Sequence, residues 1–370
     1  MRLYPKYFLF PLTLLGLLYS PYILPLHVLH LSFHKGCINE INFIGQELQF
    51  KVTTMFIPNL VSGEFDGISS GNALYNVGHE RAQNIWNKHK DYFNQFDAII
   101  TSDTAPLARI FLQNNYTKPL IIWICNRFDY SDQSSLDCDF PDEEYYQLMR
   151  DACTNDNVFL IPNCKFEALY ASKKNVYFNC ETIQPIAAFN PQDKTPIIPL
   201  SIDKAQTFFI PQYLNDSSMN LIQECTNLNI MTHTYSANYR GPSDLRDFKG
   251  IIHIPYAWST IAFFANIQQG LPYFIPSSRF MCELYDKGQI WWQNGNLFKE
   301  NFHVSEWYSK ENSEIISYFD SWDDLKQKIE STDFNALRIK IKQYAEKKAQ
   351  TTLEKWHKIF DKIQLTRNRY

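Results

Sequence analysis

The sequence lacks the surplus of basic residues that proteins use to bind nucleic acids. Its 370 residues include 35 lysines and arginines against 39 aspartates and glutamates, which gives a formal net charge of −4. Contacts with a phosphate backbone need clustered positive charge. The overall balance therefore disfavours a nucleic acid as partner.

The eight cysteines lack the spacing of a structural zinc site. They are scattered along the chain, with no Cys-x-x-Cys pair and no grouping of cysteines with histidines, whereas structural zinc needs four such ligands close together. An even number of cysteines is compatible with disulfides, and Cys125, inside an apolar run, is expected to be a buried thiol. The cysteines therefore fit either a reducing or an oxidising compartment.

Glycine-rich nucleotide loops are also missing. The loop after the first predicted strand has the sequence SFHKGCINE, without a Gly-x-Gly-x-x-Gly motif. In dinucleotide-dependent dehydrogenases these glycines let the backbone approach the pyrophosphate. That class of enzyme is therefore disfavoured, and no internal repeat or low-complexity tract suggests another special architecture.

The sequence contains enough apolar and aromatic residues to form two globular cores. Hydrophobic residues make up 45% of the chain and aromatic residues 16%, and a chain of this length usually forms two domains of roughly 150–200 residues. Apolar runs that suit strands alternate with amphipathic helical patterns from residue 27 onward. This alternation predicts an α/β fold with parallel sheets covered by helices.

The chain begins with a hydrophobic leader, predicted over residues 1–26. Arg2 and Lys6 precede an uncharged stretch at 7–26, which is long enough to span a bilayer as a helix. Positive charge before the stretch predicts a single-pass type II membrane anchor in the secretory pathway, with the N-terminus in the cytoplasm. Three prolines within it leave a cleaved signal peptide or a peripheral leader as alternatives.

The remaining chain divides at a proline-rich stretch. Residues 183–205 hold four prolines and no clear period, which predicts a linker at 186–205. A first Rossmann-like domain is expected over 27–185 and a second over 206–330. From 331 to 370 apolar residues recur at three- and four-residue spacing, which predicts one long C-terminal helix.

Residues 250–276, with the sequence GIIHIPYAWSTIAFFANIQQGLPYFIP, predict a strand, a helix and a second strand. Ser259 is expected to cap a helix that ends near Gln269, and a Gly-Leu-Pro turn leads into the next strand. The helix N-terminus then lies at the carboxyl edge of the sheet, where its free N–H groups and dipole attract phosphate. The stretch resembles the donor half of GT-B glycosyltransferases, and the order of the whole chain fits that plan.

The resemblance implies two Rossmann-like domains facing a cleft and a C-terminal helix that returns to the first domain. It also implies that the nucleotide-sugar donor binds at 207–277, and that the acceptor and the base lie at 28–135. It implies transfer of a sugar to a hydroxyl of a glycan or protein, without a metal or other cofactor. Retaining members carry two glutamates eight residues apart, where this chain has Ala257 and Ala265. An inverting mechanism is therefore favoured, and an inactive copy stays open.

Candidate bases follow the predicted strands of the first domain. His34 comes directly after the first strand, and its ordinary pKa suits proton abstraction; a hydrogen bond to the loop backbone is the alternative role. Asp103 follows another strand and would orient a histidine, act as base, or cap a helix at 105–114. Glu40 is expected in the first turn of the first helix. Four residues are possible substrate contacts: Lys35, Glu40, Arg127 and Asp129.

The donor-binding residues are expected at the strand ends of the second domain. Tyr256 would stack on the nucleotide base, while Ser259 and Thr260 would offer hydroxyl and N–H groups to the phosphates. Arg240 is the preferred cation for the diphosphate, because a guanidinium holds two phosphate oxygens at once. Asn215 occupies the corresponding position in the first loop of this domain.

Three other functions stay open on sequence grounds. A metal-dependent GT-A enzyme would use Asp137 and Asp139, although this Asp-Cys-Asp lies in an acidic loop that suits a solvated lead-in to a helix. A sugar-nucleotide epimerase of the same fold would share the donor site and need no acceptor groove. A non-catalytic nucleotide-sugar-binding protein would fit the missing glutamates. Glycosylation sequons at Asn115 and Asn215 matter only in a secretory compartment.

Overall fold

The computed structural model describes residues 25–56, 77–126, 128–129, 143–187, 202–235 and 241–367. Several features of the sequence lie outside these residues: most of the hydrophobic leader, most of the linker, Arg127, Asp137, Asp139 and Arg240. No helix in the described parts of the chain is both long enough and apolar enough to cross a membrane.

Five parallel strands form the first sheet: β1 (His27–Ser32), β2 (Lys51–Phe56), β3 (Ala98–Asp103), β4 (Leu120–Ile124) and β5 (Val158–Pro162). Their spatial order is β2-β1-β3-β4-β5. Strand β4, with the sequence LIIWI, is buried at every position. Such a continuous apolar run is typical of a parallel sheet that is covered on both faces.

Helices cover both faces of this sheet. Because successive strand residues such as Val28 and Leu29 point to opposite faces, the sheet divides the buried side chains into two cores. Ile85 and Phe111 belong to one core, and Trp123 belongs to the other. The helices are α1 (Lys35–Glu47), α2 (His79–Phe93), α3 (Arg109–Leu112), α4 (Glu143–Ala152) and α5 (Lys165–Ser172), with a 3-10 turn at Ala105–Ala108.

A second parallel sheet follows, with the strands β6 (Phe208–Phe209), β7 (Thr232–His233), β8 (Gly250–Ile252), β9 (Tyr273–Pro276) and β10 (Ile316–Phe319). Their order is β10-β9-β8-β6-β7. The predicted α/β class with two Rossmann-like sheets is confirmed, while the domain limits at 185 and 206 stay predictions. The helices are α6 (Leu214–Ser218), α7 (Leu221–Asn227), α8 (Ile261–Gln268), α9 (Ser278–Asp286), α10 (Phe298–Asn301) and α11 (Trp322–Ser331).

A helix of 34 residues, α12 (Phe334–Arg367), joins the two halves of the molecule. On the second half, the Lys348 ammonium lies 5.2 Å from the ring centroid of Phe264 in α8. On the first half, Trp356 meets Trp123 edge to face, with centroids 5.7 Å apart. The long C-terminal helix is therefore confirmed, and it returns to the first sheet as the resemblance implies.

The carboxylate of Glu40 holds the backbone that leaves the first half. Glu40 is buried in the second turn of α1, so its predicted place in the first turn is wrong. Its Oε1 accepts the N–H of Ile186 at 2.7 Å, and its Oε2 accepts that of Ala187 at 2.6 Å. Ala187 has a φ of +54°, which a residue with a Cβ adopts only where its surroundings hold it. Both carboxylate oxygens are committed to this backbone rather than open to a substrate.

Side chains of the two halves also meet directly. Phe166 in α5 stacks on Trp258, with centroids 3.8 Å apart and ring planes 3° from parallel, and both rings are buried. The Gln184 amide donates to Glu306 at 2.5 Å and accepts a hydrogen bond from Lys348. These contacts hold the halves closed against each other.

Replacing Glu40 with glutamine tests the contact with the backbone. An amide can accept one of the two N–H groups but turns its own NH₂ toward the other. The free energy of unfolding should fall by about 1.5–3 kcal/mol, the range for hydrogen bonds to a charged group, as measured by urea denaturation. Glu47→Gln, at an exposed position of the same helix, is the control and should change it by less than about 0.5 kcal/mol. Equal losses in both variants would contradict this role of Glu40.

Candidate functional site

The candidate site lies at the carboxyl edge of the first sheet, where loops leave β1, β3 and β4. His34 follows β1, Asp103 is the last residue of β3, and Cys125 follows β4. Strands β1 and β4 both pair with β3 in parallel register, so the sheet itself places the three residues side by side. This is the edge at which open α/β sheets bind ligands.

His34 caps helix α1. The ring nitrogen Nδ1 accepts a hydrogen bond from the N–H of Gly36 at 3.1 Å. The backbone N–H of His34 donates to the Ser32 hydroxyl at 3.1 Å. The sulfur of Cys37 lies 3.9 Å from the same ring nitrogen. The hydrogen bond to the loop backbone is the alternative role that the sequence left open for His34. The catalytic role of His34 stays a prediction.

The groups around His34 act on its pKa in both directions. The hydrogen bond with Cys37 raises the pKa, partial burial lowers it, and the charge of Asp103 raises it, for a net increase. The N–H of Gly36 opposes protonation, because Nδ1 cannot accept this bond once it carries a proton. A neutral His34 that keeps the cap therefore has its proton on Nε2.

Asp103 ends β3 in a left-handed backbone conformation. Its φ is +77°, a region that costs roughly 1–3 kcal/mol for residues other than glycine. Its carbonyl oxygen accepts the N–H groups of Cys125 at 3.1 Å and Asn126 at 2.9 Å. The following 3-10 turn has Thr104 in the capping position and no side-chain capping bond, so the capping role considered for Asp103 is wrong. Backbone strain at a ligand-binding edge is typical of a functional residue.

A chain of buried polar groups lies beneath His34. Nε2 of His30 is 2.8 Å from the Ser102 hydroxyl, which donates to the Ser32 hydroxyl at 2.9 Å. Burial lowers the pKa of His30 to about 3, so this imidazole is neutral. This series of hydrogen bonds positions Ser32, whose hydroxyl accepts the backbone N–H of His34.

In the second half, a buried histidine–carboxylate pair lies at the end of β8. Oδ2 of Asp216 is 2.8 Å from Nδ1 of His253, and Oδ1 accepts the N–H of Ile254 at 2.9 Å. Burial raises the pKa of Asp216, and the neighbouring His253 opposes that shift. The sequence interpretation missed this pair; the signal for it was a histidine directly after an apolar strand.

Asn215, a predicted donor-binding residue, is buried in the same region. Its amide donates to the carbonyl oxygens of Pro255 at 2.7 Å and Trp291 at 2.8 Å, and it accepts the N–H of Trp291 at 2.8 Å. Both amide hydrogens are therefore used to join the loop after β8 to the Trp291 segment. The burial leaves no room for a glycan at this sequon.

Three other predicted donor residues lie between β8 and α8. Thr260 caps α8 by accepting the N–H of Phe263 at 3.3 Å, so the prediction that Ser259 is the cap is wrong by one residue. The hydroxyl of Ser259 is buried and has no partner among the described residues. The ring of Tyr256 lies 5.6 Å from that of Tyr213, and burial raises the pKa of Tyr256 to about 12.

The N-termini of α1 and α8 meet between the two halves. A Cβ built on Gly36, in the first turn of α1, would lie 3.3 Å from Cδ1 of Ile261, the first residue of α8. Lys35, the first residue of α1, is exposed beside this point. The positive ends of two helix dipoles thus lie next to each other, with His34 capping one helix and Thr260 the other.

Two sets of predicted carboxylates lie elsewhere. Asp129 is buried and accepts a hydrogen bond from the Tyr146 hydroxyl, and burial raises the pKa of Asp129. Arg127, another possible substrate contact, lies outside the described residues. Within the described ranges, no group of three histidine, cysteine, aspartate or glutamate side chains is placed to hold a metal ion. Asp137 and Asp139 lie outside those ranges.

The fold of this chain is similar to that of several solved structures. No family model and no curated protein matches the sequence. The solved structure of the glycotransferase of kitacinnamycin is similar, with a TM-score of 0.50 and 10% identity over 92% of this chain and 100% of that one. SnogD, a glycosyltransferase from Streptomyces nogalater, has a TM-score of 0.47 and 9% identity over 89% and 98% of the chains. A UDP-N-acetylglucosamine 2-epimerase has a TM-score of 0.41 and 10% identity over 85% and 94%. The likeness to the first of these shows a GT-B fold.

Substitutions at His34 measure the contribution of the cap. His34→Ala removes the acceptor for the Gly36 N–H, so the free energy of unfolding should fall by about 0.5–2 kcal/mol. His34→Asn should stay close to wild type, because an asparagine oxygen caps a helix equally well. Both are measured by urea denaturation at a pH above the raised pKa of His34, where the ring is neutral and can accept the Gly36 N–H. If the two variants lose the same amount, the ring contributes through packing and not through the cap.

His30 should make the protein less stable in mild acid. Its pKa in the folded state is about 3, against about 6.5 in an unfolded chain, so between these values only the unfolded state binds the proton. As the pH decreases below 6.5, this residue should lower the free energy of unfolding by about 1.4 kcal/mol per pH unit.

Urea denaturation at a series of pH values checks this, with His30→Gln as the variant. In this variant, the slope of the free energy of unfolding against pH should be smaller by the contribution of one proton. His357→Gln, at an exposed site of α12, should keep the wild-type slope. An unchanged slope in His30→Gln would rule out the buried neutral histidine.

Proposed function

We propose that the protein is an inverting, metal-independent glycosyltransferase that moves a sugar from a nucleotide-sugar donor to an acceptor hydroxyl. The observation that supports this most directly is the approach of the N-terminus of α1, which His34 caps, to the N-terminus of α8. The charge of Asp103 acts on His34 at the same place. A proton acceptor and an anion-binding element then face each other between the two sheets of a GT-B fold.

His34 takes the proton of the acceptor hydroxyl in the proposed reaction. The acceptor oxygen forms a bond to C1 of the sugar while the bond from C1 to the diphosphate oxygen breaks, and the diphosphate leaves with the electron pair. The negative charge of Asp103 stabilises the imidazolium that results. A base needs an unprotonated nitrogen facing the acceptor, whereas the cap to Gly36 keeps the proton on Nε2. Acceptor binding must therefore release the ring from the cap or exchange its tautomer.

The leaving diphosphate is proposed to lie at the N-terminus of α8. The first turn supplies free N–H groups and the positive end of the helix dipole. Thr260 and Ser259 add hydroxyls, and that of Ser259 is without a partner in the described structure. Lys35 adds positive charge from the opposite side of the cleft. Arg240, outside the described residues, remains the proposed cation, and Tyr256 the proposed platform for the base.

Closure of the halves fits this chemistry. The stack of Phe166 on Trp258 and the bond from Gln184 to Glu306 close the molecule, and a closed cleft keeps water from hydrolysing the donor. Donor entry then requires these contacts to open. As a further part of the proposal, the apolar stretch at 7–26 anchors the enzyme to a membrane near its glycan or protein acceptor.

Binding of nucleotide sugars is the first test. Thermal unfolding of the full-length protein is measured with UDP, GDP, TDP and CMP sugars, with and without a metal chelator. One nucleotide should raise the unfolding midpoint equally in both conditions, because a ligand that binds only the folded state stabilises it. A shift that the chelator abolishes would favour a metal site at Asp137 and Asp139.

The same ligands separate the rival functions. Binding without loss of donor would favour a non-catalytic protein, and interconversion of donor epimers without an acceptor would favour an epimerase. Transfer to an acceptor should fall about 10²–10⁴-fold in His34→Asn, which keeps the cap and removes the base. Asp103→Asn, which suits a positive φ, should also slow transfer, while His357→Asn should not. Normal transfer by His34→Asn would exclude His34 as the base.

A further inference from the structure

Three polar residues at the beginnings of helices meet on the first half of the molecule. His79 is the first residue of α2, Arg109 the first of α3 and Glu144 the second of α4. Oε1 of Glu144 lies 2.8 Å from Nδ1 of His79, and Oε2 lies 2.5 Å from Nη2 of Arg109. The Arg109 side chain is fully buried, whereas those of His79 and Glu144 are 59% and 49% exposed. A buried cation thus holds a carboxylate, and the carboxylate holds an exposed imidazole.

Gln113 connects His79 to Arg109 a second time. Nε of Arg109 donates to the side-chain oxygen of Gln113 at 3.2 Å, and the amide of Gln113 donates to the carbonyl oxygen of His79 at 3.1 Å. Arg109 therefore acts on the backbone of His79 through Gln113 and on its ring through Glu144. A side chain that is held in this way loses little further freedom when a ligand binds it. We call these four residues the His79 cluster.

The hydrogen bond with Glu144 determines which ring nitrogen of a neutral His79 is unprotonated. A carboxylate that pairs with an arginine can only accept hydrogen bonds, so the proton of the imidazole lies on Nδ1. Nε2 then carries a lone pair, and no described residue donates a hydrogen bond to it. His34 has the opposite arrangement, since its cap keeps the proton on Nε2. His79 can thus accept a hydrogen bond from a hydroxyl group without any rearrangement.

The His79 cluster lies at the same sheet edge as the candidate base. Only Thr104 and the 3-10 turn Ala105–Ala108 separate Arg109 from Asp103, the last residue of β3. Tyr145, next to Glu144, is fully buried, and its hydroxyl donates to the carbonyl oxygen of Phe128 at 2.8 Å. Phe128 belongs to the segment that follows β4. The ends of β3 and β4 therefore hold the cluster at the carboxyl edge of the sheet.

His34 and the His79 cluster belong to opposite faces of this sheet. Helix α1, which His34 caps, packs in the core that contains Trp123, whereas α2, α3 and α4 pack in the core that contains Phe111. A ligand in contact with both histidines must therefore cross the ends of the strands. Packed layers of secondary structure are about 10 Å apart, so such a ligand is longer than one sugar ring.

We propose that Nε2 of His79 binds a hydroxyl group of an oligosaccharide acceptor, at a sugar unit beyond the one that reacts. Every unit of an oligosaccharide carries hydroxyl groups, whereas a peptide offers them only at certain side chains. His79 then determines specificity and takes no part in the chemical step. This assignment rests on the proposed function, because that function identifies the ligand at this edge as the acceptor of the sugar.

Ligand-observed NMR titrations of the full-length protein test the contact. The probes are mono-, di- and trisaccharides of glucose, galactose, mannose and N-acetylglucosamine, together with peptides that contain serine and threonine. Wild type should bind at least one longer sugar more tightly than the corresponding monosaccharide. His79→Leu should weaken binding of that longer sugar by about 3–10-fold, the effect of one hydrogen bond, and leave the monosaccharide unaffected. His79→Gln, whose amide oxygen can still accept, should keep most of the affinity.

His357 provides the matched control. It is an exposed histidine of α12 whose Nδ1 lies 2.8 Å from the Asp361 carboxylate, so His357→Leu removes the same kind of pair at another place. This variant should bind every sugar as wild type does. The thermal unfolding midpoints of all variants are measured as well and should stay close to that of wild type, since both histidines are exposed. A loss of binding is then distinguished from a loss of folding.

Three results would overturn the proposal. The first is equal binding of the longer sugar by wild type and His79→Leu. The second is an equal loss for the monosaccharide and the longer sugar, which would indicate a structural role. The third is wild-type binding of peptides alone or of no probe. In each case a protein that still binds nucleotide sugars keeps its proposed donor site, whereas the absence of nucleotide-sugar binding would mark a failure of the proposed function itself.

Discussion

The hydrogen bonds between the Glu40 carboxylate and the backbone at 186–187 fix the point at which the chain leaves the first half. A buried carboxylate loses its hydration, and it is stable only because two N–H groups replace the lost water. Because these groups belong to the chain that leaves the first half, helix α1 sets the direction of that chain. The same helix carries His34 at its N-terminus. The residue that holds the departing chain and the candidate base thus belong to one helix.

The capping role of His34 and its proposed role as a base compete for one nitrogen. Nδ1 cannot accept the Gly36 N–H and hold a proton at the same time. The capped histidine is therefore part of the fold, and the uncapped histidine is the one that can serve as a base. This competition would keep the base inactive until a substrate occupies the cleft. The neighbouring Cys37 and Asp103 favour the protonated ring and so favour release from the cap.

Buried side chains of the second half position the loop at which we propose that the diphosphate binds. Asp216 and Asn215 hold the backbone from His253 to Pro255, and Trp258 is held between Phe166 and the carbonyl oxygen of Gln293. In this loop and the helix that follows it, Ala257 and Ala265 place apolar side chains. The loop is thus fixed by buried hydrogen bonds and aromatic packing.

The sequence by itself determined the two parallel sheets and the long C-terminal helix, because strands buried on both faces must be apolar and a packed helix must carry an apolar stripe. It also located His34 and Asp103, since a polar residue after a buried strand must lie at the sheet edge. The cap of α8 was wrong by one residue, because Ser259 and Thr260 both suit a cap and the end of β8 decides between them. Two contacts could be seen only in the folded chain: that of Glu40 with a backbone 146 residues away and that of Asp216 with His253. Such pairs depend on how distant segments pack, and local residue preferences carry no information about that packing.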